Sequence, residues 1–151
     1  MDTEHVHIDK QTPDAYRAMV AVATAATKSA REAGLPRAVT ELVNVRVSQI
    51  NGCPSCLETH HRRALAAGVT DKQLATLSVW RDTALFDEYE QAALRLAEIT
   101  TTLPDHDTAE REYARARKVL TDDELSAVIW VATAINSFNR VSILSRHPVK
   151  P

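Results

Sequence analysis

Val39-Thr40-Glu41-Leu42-Val43-Asn44-Val45-Arg46-Val47-Ser48-Gln49-Ile50-Asn51-Gly52-Cys53-Pro54-Ser55-Cys56-Leu57-Glu58-Thr59-His60 reads as two helices meeting at a turn. In its first half Val39, Leu42, Val43, Val47 and Ile50 follow the helical period, and Asn51-Gly52 closes the run. Leu35-Pro36 opens it. The second half restarts at Cys53-Pro54, because proline fits the first turn of a helix, where its missing N–H costs nothing. This second helix is predicted to reach Ala67, with Gly68 as its left-handed terminator.

The same grammar extends outward in both directions. Pro13 opens a segment to about Glu32, where Ala18, Val22, Ala25, Ala26 and Ala30 keep helical spacing until Ala33-Gly34. Thr70 to Gln73, Asp87 to Glu90 and Thr121 to Glu124 each have capping-box spacing ahead of a helix-like run. Leu103-Pro104-Asp105-His106-Asp107 is the clearest internal break, with a short helix predicted from about Thr108 to Leu120. The last helix, about Asp122 to Ser145, carries Leu125, Val128, Ile129, Val131, Ala132, Ile135 and Phe138 over more than one face. Such a helix belongs in a core or a subunit interface. Three glycines and no hairpin signal between alternating strands leave an all-α chain as the expectation.

At 151 residues the chain is read as a single domain, 1–151, with residues 1–12 as a flexible or docking N-terminal segment. A formal net charge of -2, with acids and bases interspersed, gives no basic stripe for nucleic acid and no polybasic anchor for a membrane. Met1-Asp2-Thr3-Glu4-His5 lacks the pattern of an export signal, and the apolar stretches fall short of the ~20 residues a membrane span needs. The expected location is cytoplasmic. In a reducing compartment a close cysteine pair more often cycles or binds metal than staples a fold.

Cys53 and Cys56 are the chain's two cysteines. If residues 53–60 form one helix at ~100° per residue, both sulfurs and the His60 imidazole fall within roughly 60° of one face. A helix starting near Pro54 also sets Cys53 beside unpaired N–H groups and the positive end of the helix dipole, which favours thiolate. His60 lies one turn beyond Cys56 and can take a proton from a thiol and return it to a leaving group. Glu41 sits among apolar neighbours, so it either reaches solvent or serves a partner such as His60 or Arg46. Zinc is the competing chemistry, with Cys53, Cys56 and His60 as ligands and His61, His5, His7, His106 or His147 as a fourth. Covalent haem attachment would need histidine directly after the second cysteine, where Leu57 stands.

The run from Glu41 to His60 resembles the core motif of the alkylhydroperoxidase AhpD-like proteins of the carboxymuconolactone decarboxylase superfamily. The likeness continues through Ala67-Gly68, Leu77-Ser78-Val79-Trp80-Arg81 and Ala92 to Thr100, and more loosely to Ile135-Asn136-Ser137-Phe138-Asn139-Arg140. The resemblance implies an AhpD-like all-helical domain that assembles into homo-oligomers, trimers or hexamers, and reduces peroxides through a proton relay. It makes Glu41 the relay carboxylate, His60 the relay histidine, Cys56 the peroxidatic cysteine and Cys53 the resolving one. The chain departs from the family at Ser55, where histidine or tyrosine is common. A serine hydroxyl can donate and accept a hydrogen bond but does not titrate near neutral pH.

The function expected from the sequence is that of a cofactor-free thiol peroxidase, or a disulfide reductase, in antioxidant defence. Its substrate would be a hydroperoxide or a disulfide. By resemblance, a lipoylated carrier protein would supply the reducing dithiol and a peroxiredoxin would be the oxidised client. Two other readings stand beside it: a zinc-binding or structural oligomer, and a non-redox small-molecule binding module in which Trp80, Arg81, Asn136 and Asn139 line a pocket.

Overall fold

The computed structural model describes residues 3–151, and within them the regular structure is entirely helical. Eight α-helices follow in order: α1 (Ile8–Gln11), α2 (Pro13–Glu32), α3 (Arg37–Asn51), α4 (Pro54–Ala66), α5 (Asp71–Thr76), α6 (Glu88–Thr102), α7 (His106–Arg117) and α8 (Asp122–Leu144). A 3-10 segment, Leu77–Asp82, continues from α5.

Local chemistry sets most of these boundaries. All three capping boxes form: Thr70 with Gln73, Asp87 with Glu90 and Thr121 with Glu124. Gly34, Gly52 and Gly68 take positive φ behind α2, α3 and α4, the backbone region that side chains with a Cβ avoid. The helix expected from about Thr108 to Leu120 differs at both ends, closing at Arg117. The helix placed from Thr108 begins at His106, because the Asp105 side chain accepts the Thr108 N–H and caps the helix two residues earlier. The preceding break is made by Leu103, a non-glycine residue at φ 45.

The apolar residues of α8 hold the core together. Val128, Val131, Ala132 and Ile135 pack with Ala26 and Ala30 of α2, Val39, Val43 and Val47 of α3, and Ala93, Leu96 and Ala97 of α6. The alanines let the helices approach closely, and the longer aliphatic side chains fill the gaps between them. By length and composition α8 could cross a membrane, which the sequence reading of its apolar stretches did not allow for. Here Leu125, Val128, Val131, Ala132 and Ile135 are taken up by helix packing, whereas Trp130 and Leu144 are exposed. A second cluster, Leu42 and Val45 of α3 with Ala64, Leu74, Leu77, Trp80, Phe86 and Leu94, lies on the other side of α3. Buried between these clusters, α3 is a fixed platform for what it carries.

An ion-pair network ties the 3-10 segment to the helices around it. Glu98 accepts hydrogen bonds from Arg46 Nε and Trp80 Nε1, each at 2.9 Å, and from Arg81. Glu112 is bound by Arg95 at 2.5 Å, Arg115 at 3.1 Å and Arg81 at 3.2 Å. Burial alone would raise both carboxyl groups, but the guanidinium contacts, with Trp80 for Glu98, outweigh it and hold them below the ordinary value of 4.5. Acids held below their unfolded value stabilise the fold above that value and lose this contribution as the pH falls through the folded one. Thermal melts are therefore expected to be level from neutrality down to about pH 5 and to fall below it. Glu112→Gln should flatten that acid limb.

Candidate active site

The two cysteines sit at the turn between α3 and α4. Cys53 and Cys56 are joined as a disulfide with Cα atoms 5.3 Å apart. The sequence reading put 53–60 in one helix, but Cys53 is the N-cap of α4, in extended conformation at φ -94 and ψ 103. Pro54 forces this, because the residue before a proline is driven out of the helical region. The Cys53 carbonyl still accepts the Leu57 N–H at 2.9 Å, so the cap belongs to the helix it opens. Cys56 is the third residue of α4. Both sulfurs thus lie at the first turn, where the helix dipole acts.

The pair differs in access. Cys53 is fully buried, whereas Cys56 retains 9 % exposure and lines a cleft of about 1270 Å³ bordered by α2, α3, α4 and α8. Glu41, Asn44, Ser55 and His60 line the same cleft, with Val131, Ile135 and Phe138 as its apolar wall.

Glu41 is buried, and its Oε2 lies 2.7 Å from His60 Nδ1. An ionised carboxylate only accepts, so His60 donates from Nδ1, and its Nε2 keeps the lone pair that can take a proton. The alternative partner, Arg46, is accounted for by Glu98. Five residues along a helix turn a side chain about 140° away, so Glu41 and Arg46 face opposite neighbours, α4 and α6.

Ser55 Oγ lies 2.5 Å from Ser142 Oγ of α8 and 3.9 Å from Cys53 Sγ. The Ser55 hydroxyl is therefore tied to α8 on one side and in reach of the buried sulfur on the other. Sequence reasoning missed Ser142. It lies 87 residues from Ser55, with no local pattern to mark it.

Amide side chains fix the turn against α8. Asn51 Nδ2 donates to Asn136 Oδ1 at 2.8 Å and to Asn139 Oδ1 at 3.0 Å, and Asn139 Nδ2 donates to Ser48 Oγ at 3.0 Å. Asn139 is fully buried. Replacing it by leucine would leave the buried Ser48 hydroxyl without this donor and take one of the two acceptors from Asn51, and is expected to lower unfolding free energy by about 2 kcal/mol, at about 1–3 kcal/mol per buried orphan. Chemical denaturation of Asn139→Leu checks this.

The pocket residues of the binding-module reading are placed differently from that expectation. None of Trp80, Arg81, Asn136 and Asn139 lines the cleft. Trp80 is buried in the second cluster with Arg81 stacked 4.2 Å from its ring centroid, and the two asparagines serve the helix contact just described. The histidines offered as a fourth zinc ligand do not gather at the cysteines either. Among the described residues, His7 and His147 meet Asp9 instead.

Comparison with known proteins places the chain in a family. The model of the carboxymuconolactone decarboxylase family matches residues 13–98, a span that includes Glu41, Cys53, Cys56 and His60. YdfG, an uncharacterised protein of Bacillus subtilis (strain 168), is 31% identical over 116 residues, which cover 77% of this chain and 79% of YdfG. A crystal structure from Agrobacterium tumefaciens, described as a protein of unknown function and a candidate antioxidant defence protein AhpD, superposes with a TM-score of 0.86. It covers 99% of each chain at 23% identity, a likeness of fold. With the family match running from α2 through the cysteine turn into α6, and the helical fold common to the Agrobacterium protein, this chain belongs to the carboxymuconolactone decarboxylase family.

Proposed function

We propose that this protein is a cysteine-based peroxidase of the alkyl hydroperoxide reductase type, with disulfide reduction as the same chemistry run on a different acceptor. The observation that carries this reading is the cysteine pair at a cleft wall, Cys56 facing the cleft and a Glu41–His60 hydrogen bond one helical turn away. His60 Nε2 takes the Cys56 proton, directly or through water, while Glu41 holds the ring in the tautomer that permits it. The Cys56 thiolate attacks the terminal oxygen of the hydroperoxide. The O–O bond breaks, Cys56 becomes a sulfenic acid, and the alkoxide leaves as the alcohol with the proton held by His60. Cys53 then attacks the sulfenic sulfur, water departs, and the disulfide forms. An external dithiol supplies two electrons and two protons to restore the pair by exchange.

Access supports Cys56 as the peroxidatic sulfur, since a peroxide entering the cleft meets it before the buried Cys53. Helix-dipole acidity does not choose between them, because both belong to the first turn. The reductant proposed is a lipoyl-type dithiol on a carrier protein, the site of action the cytoplasm, and the assembled form a homo-oligomer. Exposed Trp130 and Leu144 on α8 are consistent with a subunit contact.

Peroxide consumption followed with dihydrolipoamide as the sole electron donor tests the reading. Steady turnover in proportion to protein is the expected result. Consumption no faster than dihydrolipoamide alone, in protein whose thiols are reduced, would overturn it.

A further inference from the structure

Among the described residues, one group of side chains outside the cysteine site has the chemistry and spacing of a metal centre. We propose that His7, Asp9 and His147 bind a divalent transition-metal ion of the zinc type, clasping the N-terminal segment to the C-terminal end of α8.

Their ligand atoms lie within 4.8 Å of one another, and His147 Nε2 is 3.1 Å from Asp9 Oδ1. Metal–ligand bonds of about 2.0–2.1 Å in a tetrahedron set neighbouring ligand atoms about 3.3 Å apart. The Asp9–His147 pair is therefore already at ligation spacing, and His7 closes by less than about 1.5 Å. The His7 ring is exposed and meets the His147 ring edge-on, with centroids 5.5 Å apart and planes at 79°. It can turn toward the ion without disturbing packed neighbours.

The backbone on both sides is fixed independently of any ion. Ile8 N–H donates to Ser145 Oγ at 3.1 Å, and His5 Nδ1 lies 2.7 Å from the Leu144 carbonyl oxygen. His147 N–H donates to the Ser142 carbonyl at 3.1 Å, and Ser145 is fully buried. Two segments separated by 138 residues are thus held in register before the metal arrives. That spares the ordering cost which makes improvised surface sites weak. Two imidazoles and one carboxylate suit zinc and its first-row neighbours, and leave further coordination positions for water. Binding replaces the proton shared by His147 and Asp9. His147 also lines the cleft that holds Cys56 and His60, so the ion would stiffen one wall of it.

Zinc titration by calorimetry into untagged protein, oxidised so that neither sulfur is a thiolate, tests the site. One ion per chain is expected. Asp9→Asn and His147→Ala should each weaken binding by at least about 10-fold, with unchanged circular dichroism. Zinc should raise the melting temperature of the parent protein and not of Asp9→Asn. A Cys53→Ser, Cys56→Ser double variant should bind as the parent does. Absence of binding, equal affinity in the Asp9 and His147 variants, or loss of binding in the cysteine variant would overturn the proposal.

Discussion

Cys56→Ser is expected to abolish dithiol-driven peroxide reduction, with a loss of more than about 10³-fold, the order that removing a nucleophile costs. The serine hydroxyl is nearly isosteric, and Cys56 is the sulfur that faces the cleft, so the loss would be chemical and not one of folding. Cys53→Ser separates the two roles. Its peroxidatic sulfur would still react once, gaining one oxygen (about 16 Da) as sulfenic acid, and then stall without a resolving thiol. A stopped-flow trace with one equivalent of hydroperoxide should therefore show a single turnover in Cys53→Ser and none in Cys56→Ser. The opposite pattern would reassign the cysteines and make the buried sulfur the one that reacts.

His60→Ala carries the second large effect, a fall of about 10²- to 10⁴-fold in the rate of thiol oxidation, the usual range for a lost general base. Free imidazole in the assay should restore part of that rate, and should restore none in Cys56→Ser. Glu41 acts through His60, so Glu41→Gln should cost less, about 10- to 100-fold, as for other groups that orient a reacting imidazole. An amide can meet Nδ1 either as donor or as acceptor, so the ring would no longer be held in one tautomer. If both variants oxidise at the parent rate, the 2.7 Å contact is structural and the relay fails.

What could be read from the chain divides by sequence distance. The capping boxes at Thr70, Asp87 and Thr121 announce their helices within four residues, and the glycines at 34, 52 and 68 mark three ends. Glu41, Cys53, Cys56 and His60 fall within twenty positions on adjacent helices, so motif and turn together locate them. Features that depend on tertiary approach were silent. The short α1 has no buried residue to give it a period. Ser142 meets Ser55 and His147 meets Asp9 only because α8 returns past both the cysteine turn and the N-terminal segment. The partner of Glu41 was open for a different reason: the choice between His60 and Arg46 depends on which way α3 faces, and that is set by its burial on two sides.

A pair of sulfurs that joins and parts under peroxide and dithiol is the central claim, and intact mass with a free-thiol count measures it most directly. The fully reduced protein, given one equivalent of hydroperoxide, should lose about 2 Da and both titratable thiols, and regain them with dihydrolipoamide. A mass that does not change, or an oxidised form that the dithiol leaves untouched, would contradict the account.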